Sequence, residues 1–233
     1  MAMDRILPML SIRVSDRLFL KDPESSALGR NILTTSLQII DEIGMERFTF
    51  KKLANTLQTT ESSVYRYFEN KHMLLLYMST WYWSWLETYM VFRTANLTDP
   101  KDKLKIMISI LCKDDWENKV MNSMNLNLLK RIVVAESPKA YMAKQTGNLT
   151  MDEIFRGFEQ LCLRFEELFR LINPEFQHTR RLSSTMIEGV LQQSFYLMYF
   201  PAFTPKEENQ LDDSIPRFFY EMALAMLVAE KQR

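Results

Sequence analysis

Between positions 154 and 172 the apolar residues Ile154, Phe158, Leu161, Phe165, Leu168 and Ile172 recur in alternating steps of four and three, and Asn173-Pro174 ends the run. Only a helix, at 3.6 residues per turn, gathers such positions onto one face; a strand would divide them between its two sides. Upstream, Thr150-Met151-Asp152-Glu153 has the spacing of a capping box. The same pattern recurs nearer the N-terminus, where Leu28, Ile32, Leu33, Ser36, Leu37, Ile39, Ile40 and Ile43 mark a buried face that Gly44 terminates. With 5 Gly and 8 Pro against 16 Met in 233 residues, the chain has little material for tightly turned β structure. The expected fold class is all-α, and the length favours two unequal domains.

A hydrophobic fraction of 47% and a charged fraction of 25% supply an ordinary globular core. Basic and acidic residues balance at 29 each, so any nucleic-acid function must rest on local features and not on net charge. Residues 1–10 lack the basic-then-apolar layout of a secretory leader. The longest uncharged apolar region, 73–86, is shorter than the ~20 residues of a membrane span. A cytoplasmic protein with no membrane partner is expected. Cys112 and Cys162 have no metal-ligand spacing and read as small buried apolar residues.

The chain divides into an N-terminal arm (1–22), a short-helix domain (23–72) and a larger helical region (73–233). Asp22-Pro23 has the residues of a helix start. After Gly44, Thr49 can cap a second helix, flanked by Phe48 and Leu53 at hydrophobic-staple positions. Gln58-Thr59 provides a turn, and Thr60 can cap a third helix running through Val64 to Phe68. A long helix from Lys71 to Arg93 joins the two domains. Later helices are expected near 175–200 and 206–230, the last opened by Thr204-Pro205-Lys206-Glu207 and kinked or divided at Pro216.

Two short helices meeting at a tight turn can place the second in a DNA major groove. Small or polar residues are then needed at its exposed start, with an apolar anchor behind. Thr60, Glu61, Ser62 and Ser63 fit the first requirement, and Val64 and Phe68 the second. Ser62, Ser63 and Lys51 stand where side chains reach base edges, and Glu61 can accept from a cytosine amino group. Thr49, Tyr65, Tyr67 and Lys71 offer phosphate contacts, and Arg66 adds a cation on the same helix. Over 25–75 the cations Arg30, Arg47, Lys51, Lys52, Arg66 and Lys71 outnumber Asp41, Glu42, Glu46, Glu61 and Glu69 by one. One subunit should therefore bind weakly, and dimerisation should matter correspondingly more.

In order and spacing, residues 32–78 resemble the DNA-binding region of the TetR family of helix-turn-helix transcriptional regulators. The resemblance runs through Gly44, Phe48-Thr49, Leu53-Ala54, Thr60, and Ser63-Val64-Tyr65-Arg66-Tyr67-Phe68-Glu69-Asn70-Lys71 followed by Leu74-Leu75. It implies an N-terminal three-helix domain joined by a long helix to a larger helical dimerisation and ligand-binding domain. It further implies a homodimer, here through the 175–200 and 206–230 helices, acting on double-stranded DNA as a ligand-responsive repressor. Gln58 departs from the glycine common at that turn. Ser183, Ser184, Gly189 and Ser194 could allow close helix approach in a bundle. For a small apolar effector the candidate lining is Trp85, Met107, Trp116, Met124 and Met186, residue types that suit an adaptable cavity and equally a plain core.

Catalysis finds little support. His72 and His178 are the two histidines, neither in a metal-binding spacing, and no Gly-rich phosphate loop is present. No catalytic residue, metal or cofactor is expected. The competing function is a helical protein-interaction module with a degenerate helix-turn-helix, which Gln58, Glu61 and the weak net charge favour.

Overall fold

The computed structural model describes residues 12, 14–113, 120–121, 124–142, 150–203 and 214–229. Nine α-helices occur among them: α1 (Ala27–Arg47), α2 (Phe50–Thr56), α3 (Glu61–Tyr65), α4 (Lys71–Thr94), α5 (Pro100–Cys112), α6 (Leu126–Met142), α7 (Met151–Ile172), α8 (Thr179–Tyr199) and α9 (Ser214–Ala229). Apart from a two-residue antiparallel ribbon, Val120–Met121 against Met124–Asn125, the architecture is all-α. The chain forms two compact units, one of residues 1–85 and 115–157, the other of 86–114 and 158–233. Helices α4 and α7 contribute to both. No helix among the described residues is long and apolar enough to cross a membrane.

In the first unit, 3-10 turns at Asp16–Leu18 and Pro23–Ser25 precede α1. Leu18 is fully buried, and the Leu20 amide donates to the Tyr67 carbonyl at 2.8 Å, which fastens this stretch beside the end of α3. The Ser26 hydroxyl caps α1 by accepting from the Gly29 amide at 3.1 Å. Gly29 is required by a close approach: a Cβ there would lie 2.2 Å from the Pro23 carbonyl oxygen. Glu24 reaches α4, its carboxylate accepting from the Trp81 indole at 3.0 Å and the Tyr77 hydroxyl at 3.4 Å. Burial pushes that carboxyl above its ordinary value, and the Trp81 hydrogen bond opposes the rise.

The α1 stripe is buried as its spacing requires: Ile32, Leu33, Leu37 and Ile40 are all shielded. Gly44 does not end the helix outright. It takes φ 77° and ψ 159°, a kink after which one more turn runs to Arg47. Helix α4 starts under an Asn70 cap, with Oδ1 accepting from the Met73 amide at 3.0 Å, and is buried on every side from Met73 to Trp83. Helix α6 is held to α1 by a bidentate pair, Arg131 Nε and Nη2 to the Asp41 oxygens at 2.8 and 2.7 Å.

In the second unit, Asp99 caps α5 by accepting from the Lys101 amide at 2.7 Å, with Pro100 at the first helical position. Arg164 ties α7 to α4 through Glu87 at 2.8 Å. The buried Glu166 receives Arg170 at 2.8 Å and Arg180 at 3.5 Å, joining α7 to α8. Cys162 is buried, Cys112 half-buried, and both are free thiols. Burial raises the Cys162 thiol to about 11, so it stays protonated and inert.

Several boundaries differ from the sequence expectation. Helix α3 stops at Tyr65 and not Phe68, because the Tyr67 and Phe68 amides both fold back onto the Val64 carbonyl at 2.9 and 3.3 Å. Helix α8 begins at Thr179, since Asn173 holds a turn by accepting from the Glu175 amide at 3.1 Å while its side-chain amide donates to Leu227 at 2.8 Å. Pro216 neither kinks nor divides α9. It is the third residue of that helix, where the missing amide proton has no intrahelical acceptor to lose. The expected opening at Thr204-Pro205-Lys206-Glu207 lies outside the described residues. Of the small residues on α8, Ser183 and Ser194 are buried, and a Cβ at Gly189 would meet the Phe219 ring at 2.9 Å, so these positions are used for packing inside the subunit.

Candidate nucleic-acid interface

Helices α2 and α3 are short, seven and five residues, and neither could persist alone in water. Their caps and their buried anchors hold them. The Thr49 hydroxyl accepts from the Lys52 amide at 3.2 Å, and the Thr60 hydroxyl from the Ser63 amide at 3.3 Å. Phe50, Leu53 and Ala54 of α2 and Val64 of α3 are buried, as is Phe68 beyond it. The turn between them places Gln58 at φ 53°, the left-handed region that glycine enters freely. The turn geometry is thus kept without its usual residue, at a cost of ~1 kcal/mol.

These anchors leave a polar lip in solvent. Thr49, Lys51, Thr60, Glu61, Ser62 and Arg66 are exposed and Ser63 is half-buried. The Thr60 hydroxyl lies 2.9 Å from both the Ser62 and the Ser63 hydroxyls, a cluster that orients all three at the start of α3. Tyr65 is 47% exposed, its ring edge-on to Phe50 with centroids 5.0 Å apart, so the hydroxyl end is presented outward from a fixed base.

Two residues read from sequence as phosphate contacts are placed otherwise. Tyr67 is 3% exposed, its hydroxyl 2.8 Å from that of Ser26 and its ring covered by the Lys21 ammonium at 5.2 Å. Lys71 turns inward and donates to the carbonyl oxygens of Met45 at 2.8 Å, Glu46 at 3.1 Å and Phe48 at 3.1 Å. Sequence reasoning missed these partners because the contacts span 23 to 41 positions, and no local periodicity encodes them. The neighbouring His72 imidazole is held below its usual value by partial burial and by the Lys71 charge, so it adds no cation near neutrality.

The candidate effector residues are distributed over both units. Trp85 and Met124 are buried in the first, Met107 and Met186 in the second, and Trp116 lies outside the described residues.

Residues 32–78 match the family model of bacterial regulatory proteins of the tetR family. The fold is similar to the crystal structure of AibR in complex with isovaleryl coenzyme A and operator DNA, with a TM-score of 0.59 and 16% identity over 83% of this chain and 97% of that one. It is also similar to the fatty acid degradation regulator FadR from Bacillus halodurans, with a TM-score of 0.60 and 14% identity over 84% of this chain and 93% of that one. No curated protein matches the sequence significantly. The kinked first helix, the two capped short helices and the matched sequence all fall in the same stretch, so residues 32–78 form a helix-turn-helix of the kind found in bacterial regulatory proteins of the tetR family.

Proposed function

We propose that this protein is a ligand-responsive transcriptional repressor that binds a near-palindromic operator as a homodimer, α3 lying in the major groove and the start of α2 beside it. Residues 23–72 read the DNA, and 73–233 carry dimerisation and effector binding. The observation that carries this reading is the polar start of α3, Thr60 to Ser63, set in front of the buried Val64 and Phe68. A helix so built can lose its solvent to a groove without disturbing its core. Lys51 and Ser62 are assigned to base edges. Thr49, Tyr65 and Arg66 are assigned to the backbone, and Ser63 with Thr60 orients the lip.

Selection from a random duplex pool with the purified protein is expected to return a two-fold symmetric site. Lys51→Ala or Ser62→Ala should relax preference at one or two half-site positions by about 1–3 kcal/mol each while the melting temperature barely moves. Unchanged preference in both variants would remove α2 and α3 from the groove. A pool that yields no enriched duplex would instead favour the protein-interaction module, the reading that the exposed Glu61 supports.

Exposed Met198, Tyr199 and Phe200 at the end of α8, and Phe218, Met226 and Val228 on α9, support a second copy as the partner of these helices. Light scattering at micromolar concentration is expected to give the mass of two chains; a monomer there would remove the symmetric operator with it. The effector is read as a small apolar or acyl compound. Support comes from the buried methionine and tryptophan side chains at Trp85, Met107, Met124 and Met186 and from the isovaleryl coenzyme A bound to the similar AibR.

A further inference from the structure

Lys71 is the first residue of α4, and an ammonium has three protons to donate. All three are matched by carbonyl oxygens of one short stretch, those of Met45, Glu46 and Phe48, at 2.8 to 3.1 Å. That stretch is the end of α1 beyond the Gly44 kink, where unpaired carbonyls and the helix dipole concentrate negative potential. It runs directly into the Thr49 cap and α2, which carries Lys51. The same stretch is held from another side: the Met45 amide donates to Glu136 of α6 at 3.4 Å, and Arg131 of α6 grips Asp41 one turn earlier.

The geometry points to Lys71 as a positioning residue for DNA binding: its ammonium locks the 45–48 turn onto the start of α4 and thereby sets where α2 and α3 stand on that helix. This inference rests on the DNA-binding reading of α2 and α3. A lysine spent on three backbone carbonyls has no proton left for a phosphate. Its effect on DNA is therefore carried by geometry, not by charge.

The test uses the full chain, unaltered and as Lys71→Met and Lys71→Arg, with a duplex that the unaltered protein has enriched from a random pool. Affinity is measured over a salt series well below the melting temperature of each variant, and amide hydrogen exchange is followed in parallel. Lys71→Met is expected to weaken binding by about tenfold or more while the dependence of log K on log salt keeps its slope. Loss of a phosphate contact would instead lower the slope by about 0.9 for each contact removed. Lys71→Arg should weaken binding as well, because a planar fork cannot donate to three carbonyls converging on one point; a phosphate contact would tolerate the exchange. Amides of 47–53 should exchange faster in Lys71→Met than in the unaltered chain, with the buried middle of α4 unaffected. A lowered slope, unaltered affinity in Lys71→Arg, or unchanged exchange at 47–53 would each overturn the inference. Failure of the unaltered protein to enrich any duplex would strike the DNA-binding reading instead, and the exchange measurement would still decide whether the turn depends on the ammonium.

Discussion

Val64→Asp is expected to unfold the helix-turn-helix and abolish DNA binding together. Val64 is fully buried, and its carbonyl receives both the Tyr67 and the Phe68 amides, so the residue anchors α3 and the turn that closes it. An aspartate at that point would bury a charge in a site built for an apolar side chain, at a cost of ~3–5 kcal/mol. That is a large share of the roughly 5–15 kcal/mol by which a domain is stable. A five-residue helix has no stability of its own to offset the loss. Circular dichroism during thermal melting, read beside binding to a selected duplex, should show the transition shifted far down and binding gone. Ser62→Ala, at an exposed position on the same helix, is the control and should melt normally. A normal melt for Val64→Asp would mean that α3 can rotate its buried side into water, and the placement of Thr60 to Ser63 as the outward lip would fall with it.

Gly29→Ala is the second large effect, and here two principles disagree in sign. Helix propensity alone favours alanine over an interior glycine by ~1 kcal/mol. Tertiary contact opposes it, because the new methyl would sit 2.2 Å from the Pro23 carbonyl oxygen and 2.7 Å from its Cα, both backbone atoms that no side-chain rotation can move. The Pro23–Ser25 turn cannot easily retreat. Glu24 ties it to Trp81 and Tyr77, and Ser26 beside it bonds both the Gly29 amide and the Tyr67 hydroxyl. Overpacking of this kind costs about 3 kcal/mol, and the capping bond at Ser26 is at risk as well, so the contact outweighs the propensity. Urea denaturation should show a lower midpoint with an unchanged slope. A midpoint equal to or above that of the unaltered protein would show that the 23–25 turn slides freely on α1.

What could be read from the sequence was local and periodic. The stripes at 28–43 and 154–172 required helices, because a four-and-three spacing buries a face in no other regular structure. The caps at Thr49 and Thr60 and the stop at Asn173-Pro174 placed helix ends to within a few residues. The polar start of α3 and its apolar anchors were equally visible, since both lie within nine consecutive residues. Segment 100–142 carried a stripe as well, Leu104, Met107, Ile108 and Leu111 on one buried face, but α5, α6 and the small ribbon in it were not anticipated.

What only the tertiary structure decided were the long-range pairings. Sequence shows that Lys71 is a cation at a helix start and that Tyr67 is a phenol beside an exposed helix, and both descriptions suit a phosphate contact. Packing α4 against the end of α1 instead brought three carbonyls to the Lys71 ammonium, and packing α1 against α3 brought the Ser26 hydroxyl to Tyr67. Gln58 is the intermediate case: its position in the turn was legible, but whether a non-glycine would bear a left-handed φ depended on the burial of α2 and α3 on either side. Local patterns specify elements because hydrogen bonding and burial repeat along the chain with the period of each element. A polar side chain's partner is set by which elements meet, and that information is carried by the packed core as a whole.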